Sequence, residues 1–167
     1  YKDATPEQRA IREVYSGIMA APTALFKRWV AALKPDNAQN EYYLTDVVAA
    51  AVADAIPVVA HLAADERDVR GINDRAQLAA VEGILQRRYA AALMEAGVSI
   101  ADPHRIDVRG TLTCGRDVSI DVGCVFEGTV SLADDVTVGP YCVLRDVTVA
   151  AGTRIDAFSH FVDATIG

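Results

Sequence analysis

Residues 106–144 read IDVRGTLTCGRDVSIDVGCVFEGTVSLADDVTVGPYCVL, and in them apolar or thiol residues return at every sixth position. One column is Val108, Cys114, Ile120, Phe126, Leu132, Val138 and Leu144. The other is Ile106, Leu112, Val118, Cys124, Val130, Val136 and Cys142. A period of six matches neither an amphipathic helix nor a simply alternating strand, but it is the spacing of hexapeptide β-helices. In such a fold three hexads make one triangular coil. The two columns point into the prism, glycine and polar residues take the corners, and stacked coils form parallel sheets. After Leu144 the period slips by one residue and resumes as Val149, Ile155 and Phe161, with Thr153 and Ser159 in the small-residue column. A loop or corner is expected to absorb the slip. The stretch amounts to a little over three coils at about 18 residues each, or roughly 15 Å of height at strand spacing. Similarity to the hexapeptide class implies a left-handed coil, against the usual right-handed crossover.

The residues upstream have a different character. Of 29 alanines, 24 precede residue 106, while 7 of 11 glycines lie from Ile106 onward, a shift from helix to turn-and-strand chemistry. Leu25, Phe26, Trp29, Val30 and Leu33 recur at helical spacing. Thr45 or Asp46 is placed to cap a helix through Val47, Val48 and Val52. The runs Val14–Ala20 and Ile56–Leu62 read as buried strands, which makes the region α/β. Asp74 with Gln77 resembles a capping box opening a long helix to about Ala96, stopped by Gly97. Its expected apolar stripe is Leu78, Val81, Leu85, Tyr89, Ala92, Leu93 and Ala96, on a strut roughly 30 Å long. Two strands and a few helices cannot close an α/β sheet. Residues 1–73 are therefore expected to be part of a domain, 74–97 a linking helix, and 98–167 the first coils of the β-helix. The start at Tyr1 and the end at Ile166-Gly167 add the expectation of an interior piece of a longer chain.

Composition narrows the function classes. A net charge of −7 gives no broad positive field for nucleic acid or anionic lipid, and no apolar run approaches the roughly 20 residues that cross a bilayer. Three cysteines without a CxxC pair suggest free thiols in a reducing cytoplasm. Cys124 and Cys142, 18 residues apart, should stack in one column as small hydrophobes, with Cys114 in the other.

Several motifs follow one another in order: Lys2-Asp3-Ala4-Thr5, Asn37-Ala38-Gln39-Asn40-Glu41-Tyr42-Tyr43-Leu44-Thr45-Asp46, Gly71-Ile72-Asn73-Asp74-Arg75, Asp102-Pro103 and Arg109-Gly110-Thr111-Leu112-Thr113. Together they resemble the bacterial bifunctional N-acetylglucosamine-1-phosphate uridyltransferase and glucosamine-1-phosphate N-acetyltransferase family, over essentially the whole chain. The resemblance implies the C-terminal part of a Rossmann-like nucleotidyltransferase domain, a long linking helix, and a left-handed parallel β-helix of a homotrimer. It also implies acetyl transfer from acetyl-CoA to glucosamine 1-phosphate, then uridylyl transfer from UTP to N-acetylglucosamine 1-phosphate with release of pyrophosphate. The product, UDP-N-acetylglucosamine, feeds cell-wall and lipopolysaccharide synthesis.

By that resemblance Asn73 is a ligand of Mg²⁺ and a contact of the sugar nucleotide, one of several oxygens around the cation. On its residues alone Asn73 reads as a helix-start asparagine. No catalytic residue of either reaction carries over. The chain has no GxG for a phosphate cradle, and the acetyltransferase residues of the family lie in later coils. The 167 residues alone are expected to be inactive. Where the family usually has Asn-Thr-Gly this chain has Tyr15-Ser16-Gly17, whose phenol either stacks on the sugar or is an unrelated aromatic. Asn40 stands where glycine is usual, a milder change because asparagine tolerates αL. His61, His104 and His160 are expected to be structural or solvated, Arg87-Arg88 to be a solvated helix face, and Arg109, Arg116, Arg145 and Arg154 to be corner residues. Two other readings stay open: a non-catalytic trimeric β-helix scaffold, and a monofunctional sugar-phosphate nucleotidyltransferase with a regulatory β-helix.

Overall fold

A computed structural model describes residues 4–167. The chain divides into two compact units, Tyr1–Gly71 and Ile72–Gly167.

In the first unit, α1 (Pro6–Arg9) begins with a capping box in which Thr5 and Gln8 each accept from the other's backbone N–H. α2 (Thr23–Ala31) and α3 (Asp46–Ala53) build a small core from Trp29, Val47 and Ala51, with Leu25, Phe26 and Leu33 against it. The Trp29 indole N–H donates to Asp54 at 2.6 Å, satisfying a buried donor, and Arg28 pairs with the same carboxylate. Thr45 stands at the N-cap of α3 without its hydroxyl making a cap bond. Val14–Ala20 and Ile56–Leu62 are not strands. Both runs are irregular and mostly exposed, Val14 at 73% and Val59 at 87%. Their apolar patterns suit a sheet, but a strand exists only by pairing, and neither run has a ladder partner among the described residues.

The second unit is a parallel β-solenoid of about four turns. Short strands β1 (Ser99–Ile100), β3 (Ser119–Ile120), β5 (Thr137–Val138) and β7 (Arg154–Ile155) stack into one sheet. Long strands β2 (Ile106–Cys114), β4 (Cys124–Leu132), β6 (Val143–Val149) and β8 (His160–Ile166) stack into the other. Because β1 already belongs to the first turn, the count exceeds the three-odd coils expected from Ile106. Twelve of the fourteen column residues are buried; Leu112 and Cys114 are half-buried against the same core. Ile106 lies over Cys124, Val108 over Phe126, and Cys114 over Leu132. The three cysteines are free thiols. Cys124 and Cys142 donate to the Gly139 and Asp156 carbonyls, 3.2 Å each, and burial pushes the Cys114 thiol up to about 11. They are packing residues.

The long strands bend where the backbone takes positive φ: at Gly110, Gly128, Asp146 and Asp163 in successive coils. The one-residue slip falls at this corner. Three residues of β4 between Glu127 and Ser131 face two of β6 between Arg145 and Thr148. Asp146 compensates for the missing residue, since its Oδ1 accepts the Thr129 N–H at 2.9 Å. A second corner is tied in the same manner, Asp134 Oδ1 accepting the Arg116 N–H at 2.8 Å while the Arg116 guanidinium binds Oδ2. That N–H and then the Arg116 side chain hold the Asp134 carboxyl below its ordinary value. A depressed folded-state pKa contributes stability that is present above the unfolded value and lost as pH falls through the folded one. The thermal midpoint of the chain should therefore drop below about pH 4. Asp134→Asn should weaken that dependence while lowering the midpoint at neutral pH; a pH series by circular dichroism checks both.

The long helix α4 (Arg75–Glu95) starts as expected, Asp74 accepting from the Gln77 N–H at 2.7 Å, but Gln77 reaches back to Asn73 rather than Asp74. Its packed face keeps Leu93 of the expected stripe but departs from it elsewhere. Leu78, Leu85 and Tyr89 are exposed, while Gln86 and Ala90 are buried and Leu93 packs on the solenoid core. α4 lies across the open edge of the first coil. There the Gln86 Nε2 donates to the Val108 carbonyl at 3.0 Å, and the Val108 N–H donates to Gln86 Oε1 at 2.8 Å. The carboxamide thus fills the two ladder positions that a neighbouring strand would fill.

Candidate functional site

In the first unit, Val14–Gly17 and Glu66–Gly71 surround a cavity of about 580 Å³. Tyr15, 41% exposed, contributes its ring. The Ser16 hydroxyl accepts from the Ile18 N–H at 3.4 Å, and Gly17 turns the chain at φ +90°. On the other wall Glu66–Val69 form a 3₁₀ turn capped by Asp65, which accepts the Arg67 N–H at 2.9 Å and binds its guanidinium. Arg70 follows with an exposed side chain. The pocket therefore offers an aromatic face, a hydroxyl and the Arg70 guanidinium, with the Glu66 carboxylate also in its lining and the Arg67 guanidinium bound to Asp65. That set stacks on a ring and holds an anion.

Asn73 is exposed, one residue before the N-cap of α4. Its backbone N–H and its Nδ2 both donate to Gln77 Oε1, at 2.8 and 3.3 Å. The donor end of the amide is thereby held by Gln77, and the acceptor oxygen is the end suited to a hard cation. Among the described residues no group of three or more His, Cys, Asp or Glu is placed to hold a metal ion. Asn73 fits Mg²⁺ only as one oxygen among several, the rest coming from phosphates, water and other protein groups.

The Asn37–Asp46 motif is a loop organised by its first residue. Asn37 Oδ1 accepts the N–H groups of Gln39 and Glu41, each at 3.1 Å, its Nδ2 donates to the Glu41 carbonyl, and the Tyr43 hydroxyl donates to Gln39 at 2.6 Å. Asn40 takes φ +57°, the αL conformation expected for it. Lys2 and Asp3 of the first motif lie outside the described residues.

The histidines are dispersed. His61 lies in an irregular stretch, His104 donates its N–H to Asp102, and His160 opens β8. The arginines expected at corners divide. Arg116 is at one, whereas Arg109 and Arg145 point outward from β2 and β6, with Arg109 paired to Glu127 at 3.1 Å, and Arg154 begins β7 beside Asp156. Arg87 is exposed on α4. On the outer side of the short-strand sheet a groove of about 530 Å³ runs past Ser119, Asp121, Thr137 and Arg154. Its charges are of both signs, and no buried polar group is directed into it.

Sequence reasoning flagged Tyr15, Gly71 and Asn73 from motifs but not Glu66, Arg67 or Arg70, because a single chain carries no sign that residues fifty apart share a cavity.

No family model matches the chain. Curated relatives do. It is 60% identical over 167 residues to the bifunctional protein GlmU of Methylibium petroleiphilum, 59% over 167 to that of Bordetella petrii, and 60% over 166 to that of Dechloromonas aromatica. All or 99% of the chain is aligned, but it spans only 36–37% of the length of these relatives. No helix among the described residues is long and apolar enough to cross a membrane. At 56–60% identity over all or nearly all of its length, the chain is similar to a section of these bifunctional GlmU proteins.

Proposed function

We propose that the chain serves as the joining section of a cytoplasmic bifunctional enzyme that makes UDP-N-acetylglucosamine. In this reading residues 1–73 are the C-terminal part of a Rossmann-like uridyltransferase domain, 74–97 the linking helix, and 98–167 the first coils of a left-handed, trimer-forming acetyltransferase β-helix. The observation that carries it is the 59–60% identity to bifunctional relatives over all 167 residues, which takes in all three sections. The whole enzyme would take acetyl-CoA and glucosamine 1-phosphate at one centre, and UTP and N-acetylglucosamine 1-phosphate at the other. The 167 residues alone are inactive in this reading, having no glycine-rich cradle.

The uridyltransferase role falls on two places. The pocket of Tyr15, Ser16 and Arg70 receives the sugar phosphate, Tyr15 stacking on the ring where the family's usual asparagine would donate and accept. Asn73 supplies one amide oxygen to Mg²⁺, which when bound offsets charge on the α-phosphate under attack. Gln77 Oε1 orients the amide by accepting from Nδ2, and accepts the Asn73 backbone N–H as well. In the full-length enzyme, Asn73→Ala should lower uridylyl transfer on the order of 100-fold, and Gln77→Ala about tenfold. Acetyl transfer should be unchanged in both. Equal loss of both activities, or none of either, would contradict the assignment; separate assays of pyrophosphate and CoA release decide it.

A further inference from the structure

Gln86 is the one buried polar side chain among the described residues, 8% exposed; besides donating to Glu82 one turn back on its own helix, it bonds both the N–H and the carbonyl of Val108 on β2. β2 pairs with β4 along one edge, and α4 covers the other. The cover is slight. Of the 21 residues of α4 only Gln86 and Ala90 are buried, with Leu93 half-buried on the solenoid core, and the apolar side chains Leu78, Leu85 and Tyr89 are exposed. A helix held by so few buried contacts sits at the low end of local stability.

Beneath it lies an edge with a self-complementary arm. Around Val108, Asp107 and Arg109 both point outward and Ile106 and Val108 inward. Two copies of this arm paired antiparallel with Val108 opposite Val108 set each Asp107 beside the other copy's Arg109. A parallel pairing would oppose like charges. We propose that α4 is a removable plug on this edge, and that the Ile106–Gly110 edge, once uncovered, pairs antiparallel with the same edge of a second copy of this chain. The Gln86 carboxamide then acts as a latch, occupying the Val108 hydrogen-bonding groups that the second copy would otherwise take.

Gln86→Ala releases the latch. Gln86→Asn, too short by one methylene to reach Val108, is the milder variant should the first fail to fold. Hydrogen exchange should show the Val108 amide opening at least about tenfold faster than in the unsubstituted chain. Sedimentation velocity should show a concentration-dependent species of twice the unsubstituted assembly's mass, whatever that mass is. Adding Arg109→Asp should abolish the larger species, and adding Asp107→Arg as well should restore it. The proposal is overturned if both latch variants keep the unsubstituted mass at every concentration, or if the larger species survives Arg109→Asp.

Discussion

Gly110→Ala should be the most damaging single-methyl change in the solenoid, costing on the order of 4 kcal/mol or more and leaving little folded second unit at 37 °C. Two independent effects add. Gly110 sits at φ +145°, in a region closed to residues with a side chain, which costs about 1–3 kcal/mol. An added Cβ would also overlap the carbonyl oxygen of Gly128 in the next coil and lie 2.9 Å from its nitrogen. Both obstacles are backbone, held by the β2–β4 ladder on either side of the corner, so no rotamer relieves them. Gly152→Ala separates the causes. That corner residue has φ +72° but nothing within 4 Å of the added methyl, so only the conformational cost of about 1 kcal/mol remains. Denaturant titrations of the two variants should differ by several-fold in lost free energy. Equal losses would mean that coil-to-coil contact at Gly110 does not limit the fold.

Gln86→Leu is the second large effect, although it replaces a polar residue by an apolar one of similar size in a buried place. Leucine suits the environment but leaves the Val108 N–H and C=O with neither protein nor water partner. At about 1–3 kcal/mol for each of the two orphaned groups, the loss is about 2–6 kcal/mol, offset only in part by burying the isobutyl group. Gln86→Glu should be worse, because a carboxylate would face the Val108 carbonyl and the Glu82 carboxylate, both now served by the Gln86 Nε2. Chemical denaturation followed by far-ultraviolet circular dichroism gives the order: unsubstituted, then Gln86→Leu, then Gln86→Glu.

The same glutamine shows where sequence reading reaches its limit. The two inward columns are legible because each member is apolar for a single reason, burial in a prism, and that reason repeats with the coil. The slip after Leu144 is legible as a slip, but not that Asp146 would repair it, since a carboxylate at a corner looks the same whether it faces water or a backbone N–H. On α4 the apolar stripe misleads. Leu78, Leu85 and Tyr89 are exposed, and beside Leu93 the contact runs through Gln86 and Ala90, suited by hydrogen-bonding reach and small size rather than by hydrophobicity. Val14–Ala20 and Ile56–Leu62 fail for another cause: their composition is that of strands, but pairing is a property of two segments, and no partner segment is present among the described residues. The pocket shared by Tyr15 and Arg70 is invisible in one sequence because only the folded chain brings its walls together. The motif points to Asn73, but not to the hydrogen bond its Nδ2 donates to Gln77 Oε1, because Gln77 reads as a helix-start signal.

In the solenoid β2 pairs with β4, β4 with β6 and β6 with β8, so that each coil's ladder runs to its neighbours. Such an architecture is modular in evolution as well as in mechanics: a coil can be gained, lost or shortened, and only its two neighbours must adapt. The corner at Asp146 is an instance. A residue is missing there, one side chain bridges the gap, and the inward columns on either side keep their alignment.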